Sequence, residues 1–151
     1  MNIKRSYEFA HMYYDWIIQC LAKDEKWTEL AFFRLGVDLG VRQHELASVT
    51  WEQIEYPYVN NIQMTKKIKT YQNDDTTPRY YEPKEISRQT YDALNMIYRK
   101  GCNGKIFVEN PHRYIASISE SGGVEFRGHY MRSIKATFLS GMDVLMSGKD
   151  G

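Results

Sequence analysis

At 151 residues, with 42% hydrophobic and 26% charged residues, the chain has the size and balance of one globular domain with a real core. Its 20 basic and 19 acidic residues leave a formal charge of only +1, so composition gives no argument for nucleic acid and any DNA-binding face has to be local. No apolar run approaches the ~20 residues that span a bilayer, and Cys20 and Cys102 lack metal spacing, so reduced thiols in a cytoplasmic protein without a membrane span are expected.

Residues 7 to 22 set Phe9, Met12, Tyr13, Trp16, Ile17, Cys20 and Leu21 at helical spacing, which predicts a helix burying that face. His11 lies in this helix without a second ligand at helical spacing and is expected to be an ordinary packed or surface histidine. After the polar break at Asp24-Glu25-Lys26, Thr28 is the expected N-cap of a central helix, apolar on more than one face, that closes at Gly40. A short helix then opens at Arg42 and contains Glu45, Leu46 and Val49. From Trp51 to Ile68 alternating and aromatic residues predict strand, with turns at Pro57 and at Asn60-Asn61. The run Lys66-Lys67-Ile68-Lys69-Thr70 enters a turn at Gln72-Asn73-Asp74-Asp75, and Arg79 to Glu82 returns, making an antiparallel hairpin with a basic edge.

Ser87 is the expected cap of a third long helix, carrying Tyr91, Leu94, Ile97 and Tyr98 and stopping at Gly101. Lys105 to Val108 reads as strand or extended chain. Pro111, Ser119, Ser121, Gly122 and Gly123 make 109–127 read as loop with one helical turn at most. A last helix is expected from His129 to Leu139, with Met131, Ile134, Phe138 and Leu139 inward, ending at Gly141 before a frayed polar tail. The expected fold is therefore α+β, mainly helical, with a small antiparallel sheet or hairpin, over a single domain covering 1–151.

Two short segments carry the chemistry. Gly40-Val41-Arg42-Gln43-His44-Glu45-Leu46, followed by Trp51-x-x-Ile54, and His129-Tyr130-Met131-Arg132 resemble the two active-site boxes of the tyrosine recombinases (phage integrases). The lysine-bearing hairpin and Ile106-Phe107 stand between them in that family's order, and Ala136-Thr137 and Ser140-Gly141-Met142-Asp143 continue the likeness. The resemblance implies double-stranded DNA as the ligand and phosphoryl transfer as the reaction. Two arginines would clamp one phosphate, because a planar guanidinium donates two parallel hydrogen bonds and keeps its charge. It implies Arg42, Lys69, His129 and Arg132 as catalytic residues, with Lys66 or Lys67 able to take the lysine role if the register shifts. Arg42, Lys66, Lys67, Lys69, Arg127, His129, Arg132 and Lys135 form the implied DNA-contacting set, without metal or small-molecule cofactor.

Ser133 stands where the family often has histidine. The family's N-terminal DNA-clamping domain and its C-terminal tyrosine nucleophile are not recognisable, and none of the 12 tyrosines holds the nucleophile's place. The expectation is thus a recombination or integration domain of bacterial or phage origin, inactive without that tyrosine, with homo-oligomerisation on DNA left open. The alternative is a repressor-like regulator from a phage or mobile element that reuses the integrase fold without cutting. A helical adaptor with accidental motifs is the third reading.

Overall fold

The computed structural model describes residues 3–65 and 77–147. Six helices run in order: α1 (Ile3–Lys23), α2 (Trp27–Leu39), α3 (Gln43–Ala47), α4 (Arg88–Ile97), α5 (Pro111–Gly122) and α6 (His129–Ser147). Between α3 and α4 lie a single 3-10 turn at Trp51–Gln53 and three two-residue strands, β1 (Ile54–Glu55), β2 (Tyr58–Val59) and β3 (Lys84–Glu85). They form one antiparallel sheet in the order β1-β2-β3, with Ile54 opposite Val59 and Val59 opposite Lys84. This is the mainly helical architecture with a small antiparallel sheet that the patterning anticipates.

The core is built on α2, whose Leu30, Ala31, Phe32, Phe33, Leu35, Val37 and Leu39 are all buried. A helix apolar all round can be stable only when neighbours cover every side, and α1, α4, α5 and α6 all pack against α2. Each fully buried Phe or Leu contributes roughly 1.5–3 kcal/mol relative to exposure. Rings interlock around it: Phe32 meets Phe107 edge-on and stacks on Tyr114, while Phe33 stacks on Tyr14 and meets Phe126 edge-on. The high aromatic content therefore goes largely into the core.

Gly36, in the middle of α2, sets how closely the other elements approach. A Cβ there would overlap Met131 Sδ of α6 and come within 3.0 Å of Leu46 Cδ2 of α3. The bare backbone lets both box segments seat on the same turn of α2. At its end, Gly40 takes the left-handed conformation (φ 63°) and returns its amide to the Gly36 carbonyl, turning the chain into α3.

Several boundaries differ from expectation. The α2 helix starts at Trp27 after Lys26, so Thr28 lies inside it rather than capping it. On α1, Ile17 and Leu21 are buried as expected, but Phe9 (68% exposed), Met12 (71%) and Trp16 (51%) face outward. The apolar stripe is wider than the α5–α6 surface that covers it. His11 is packed between Tyr7 and Phe138, with ring centroids 4.6 Å and 4.3 Å away. Of the strand expected over Trp51–Ile68, the described part through Thr65 is mostly turn and short strand, and the rest lies outside the described residues. Gln63 and Tyr80 pair at the base of the expected hairpin, Met64 N donating to Arg79 O and Tyr81 N to Ile62 O, while its tip lies outside the described residues.

Ser87 does cap α4, its Oγ accepting from Thr90 N, but the helix ends at Ile97, short of Gly101. Lys105 makes only an isolated bridge to Thr50.

The largest departure is 109–127, which holds a helix of three turns rather than one. Asn110 caps it by accepting from His112 N at 3.0 Å, Pro111 occupies the first turn, and Gly123 closes it with φ 63°. Helix α6 passes through Gly141 because Tyr7 of α1 lies where a Cβ would go. Gly141 there serves helix contact rather than helix termination. No described helix is long and apolar enough to cross a membrane.

Candidate functional site

Both boxes come from segments packed on α2, and they open into one cavity of about 470 Å³ lined by Arg42, Gln43, His112, Arg127, His129 and Arg132 over a floor including Ile115 and Phe126. Arg42 is the N-cap residue of α3, and His129 and Arg132 lie one turn apart at the start of α6. The N-terminal turns of α5 and α6 reach this space through His112 and His129, which puts the positive ends of two helix dipoles beside it. Gln43 and Gly128 meet so closely that any side chain on Gly128 would overlap Gln43 Oε1, which ties α3 to the entry of α6.

Glu45 organises the Arg42 side. It is 2% exposed, and its carboxylate accepts four kinds of hydrogen bond. Arg42 N donates to Oε1 at 2.8 Å, Tyr81 Oη donates to Oε1 at 2.8 Å, Thr65 N donates to Oε2 at 2.8 Å, and Thr65 Oγ1 lies 3.2 Å from Oε2. A buried carboxylate is tolerable only when so satisfied. The Arg42 guanidinium donates to Thr65 O at 2.7 Å, and His44 Nε2 lies 2.7 Å from Thr65 Oγ1. One buried acid thus binds the helix that carries Arg42 to both arms of the hairpin base. Thr65 itself is thereby held beside Arg42.

Burial alone would raise the Glu45 carboxyl, but the Thr65 and Arg42 amides and the Tyr81 hydroxyl outweigh it and hold it below the ordinary 4.5. A group more acidic in the fold than in the unfolded chain contributes stability that is complete above the unfolded value and lost as pH falls through the folded value. Urea midpoints are therefore expected to fall as pH drops below about 4.5, and Glu45→Gln should flatten that part of the fall; an equally steep acid loss in both proteins would assign it to other carboxyls. Tyr81 moves the opposite way, raised first by burial and then by donating to Glu45, while Arg132 and Arg42 both pull it down. The two guanidiniums therefore act on the same phenol.

Of the sequence-predicted residues, Arg42, Arg127, His129 and Arg132 are brought together around the cavity. Arg127 is ion-paired at 2.8 Å with Glu125 on the exposed rim, a contact that contributes little and leaves the arginine recruitable. Lys135 lies outside the cavity, its stem against Gly40. Lys66, Lys67 and Lys69 fall outside the described residues. Sequence reading missed His112 because 109–127 read as loop, although Asn110-Pro111 before it and Gly123 after it are cap signals. It also missed Thr65 and Tyr81, which have no local motif.

The architecture among the described residues is a mainly helical domain with a three-stranded antiparallel sheet. Among solved structures, it is similar to the crystal structure of XerA recombinase, with TM-score 0.59 and 16% sequence identity over 91% of this chain and 48% of that one. The chain thus spans about half the length of that protein. Comparison with protein-family models and with curated proteins returned no match.

Proposed function

We propose that the domain binds double-stranded DNA by seating a backbone phosphate between Arg42 and Arg132, as the phosphate-holding part of a tyrosine-recombinase-type site for recombination or integration. The observation that supports this most is the convergence of those two arginines and His129 on one open cavity in a recombinase-like fold. Phosphate oxygens are matched by guanidinium forks, and the helix N-termini favour an anion in the same place. None of the ion pairs among the described residues engages Arg42 or Arg132, so their charge is available to a ligand.

In this reading the guanidiniums bind the non-bridging oxygens and stabilise the charge that grows on them. His129 donates to the same phosphate, and a lysine among Lys66, Lys67 and Lys69 protonates the leaving 5′-oxygen. The attacking group is a tyrosine hydroxyl that must come from outside the cavity, since no described tyrosine lines it. Tyr81 is unsuited to attack because its proton is committed to Glu45.

Wild-type protein is expected to bind duplex DNA with an affinity that falls steeply with salt. Arg132→Gln is expected to weaken binding about tenfold, the loss of a charge-assisted phosphate contact, with thermal stability nearly unchanged, since Arg132 is exposed and makes no hydrogen bond among the described residues. Fluorescence anisotropy across a salt series measures both. Binding indifferent to salt and to Arg132→Gln would remove DNA as the ligand. Incubation with a nicked suicide duplex then separates the two DNA readings: a covalent adduct marks a recombinase, and tight binding without one marks a regulator.

A further inference from the structure

Beyond the cavity, two lysines, Lys84 and Lys135, accompany Arg132. Lys84 lies on β3 opposite Val59, half-buried, with its ammonium 4.8 Å from the centroid of the Tyr81 ring. Tyr81 in turn donates to Glu45, which takes the Arg42 amide, so Lys84 stands one ring away from the arginine box. Lys135 follows Arg132 by one helical turn, and its stem packs on Gly40 at the turn into α3. Burial first, then the like charges of Lys135 and Arg132, hold the Lys84 ammonium below the ordinary lysine range, with Glu45 pulling the other way.

Like charges that are close and partly desolvated repel, and the usual remedy is a carboxylate between them. Glu45 is already saturated by Arg42, Thr65 and Tyr81, and the ion pairs among the described residues involve none of these cations. An edge-of-sheet lysine that served only solubility would extend into water; this one folds back over an aromatic ring whose face attracts it.

We propose that Lys84, Arg132 and Lys135 form a second anion seat, which takes the phosphate adjacent to the one held between Arg42 and Arg132 on the same DNA strand. The inference rests on the DNA reading for the identity of its ligand, and adds Lys84 as a binding residue that the two boxes do not contain. Arg132 is shared between the two seats. Lys84 binds and positions; it has no part in bond breaking.

The test compares wild type with Lys84→Gln in two measurements. For duplex DNA over a salt series, Lys84→Gln is expected to bind about fivefold to tenfold more weakly and to lower the salt slope by about one. Its melting temperature in chloride buffer is expected to stay equal or rise, because a repulsive charge has gone. In inorganic phosphate matched to chloride for ionic strength, wild type is expected to gain more melting temperature than Lys84→Gln. A wild-type slope retained in Lys84→Gln overturns the second seat, as does a drop in chloride melting temperature that accounts for the weaker binding. If wild type ignores DNA, the parent reading fails and the phosphate measurement decides: a Lys84-dependent shift keeps the anion seat, and equal shifts overturn it too.

Discussion

Glu45→Ala is expected to lower the unfolding free energy by about 3 kcal/mol. The carboxylate is buried and accepts from Arg42 N, Thr65 N and Tyr81 Oη, each at 2.8 Å. Truncation leaves two backbone donors and a phenol without their acceptor in a part-buried site, and each such orphan costs on the order of 1–3 kcal/mol before relaxation. Against a total stability of roughly 5–15 kcal/mol for a domain of this kind, that is a large share. Glu45→Gln keeps the volume but turns one acceptor into a donor facing other donors, so it should recover less than half of the loss. The consequence for binding should exceed that for stability. Thr65 is released from both the Glu45 carboxylate and its place under the Arg42 guanidinium, so the hairpin base and the arginine lose their common anchor. Urea denaturation followed by DNA anisotropy at a temperature where the variant is fully folded measures the two effects separately. A Glu45→Ala protein within 1 kcal/mol of wild type would mean that water replaces the carboxylate, and that the network is not what holds Arg42.

Gly36→Val is the second large effect, again about 3 kcal/mol, from overpacking. Two contributions oppose one another at this position. Replacing a mid-helix glycine by alanine gains about 1 kcal/mol of helix propensity. The added Cβ, however, overlaps Met131 Sδ and presses on Leu46 Cδ2. Methionine is flexible and can swing aside, so Gly36→Ala is expected to lose only about 1 kcal/mol net. Valine adds two methyl groups with a restricted rotamer and has no such escape. The mechanism predicts coupling: in a Met131→Ala background the Gly36→Ala change should become neutral or stabilising, because it fills the space just vacated. Simple additivity in denaturant midpoints would show that the two residues do not share that volume. Since Met131 precedes Arg132 and Leu46 follows Glu45, Gly36→Val should also spread the two arginines and weaken DNA binding at temperatures where the fold persists.

Local chemistry was the part legible in advance. Ser87 was readable as a cap because a hydroxyl beside a free helical amide accepts from it wherever the rest of the chain goes. Gly40 was readable as a turn because a left-handed residue closing a helix favours glycine. The encircling burial of α2 was readable from an apolar run without a polar face. The same local logic failed where two devices share a residue type. Gly141 looked like a stop yet lies inside α6, because glycine also admits a close neighbour, here Tyr7. The serines and glycines of 109–127 looked like loop, although Asn110 and Gly123 bracket a helix that brings His112 to the cavity.

By itself the sequence determined which residue types stand at the two boxes, that each box begins a helix, and that the domain is mainly helical around α2. Spacing along a helix is a short-range property and can be counted. Only the tertiary structure decided that Arg42 and Arg132 open on one cavity, that Thr65 and Tyr81 meet at Glu45, and that the Lys84 ammonium lies over the Tyr81 ring. Those meetings depend on how closely α3 and α6 settle on Gly36, a distance set by the packing of side chains from segments far apart in the chain, which no local periodicity records.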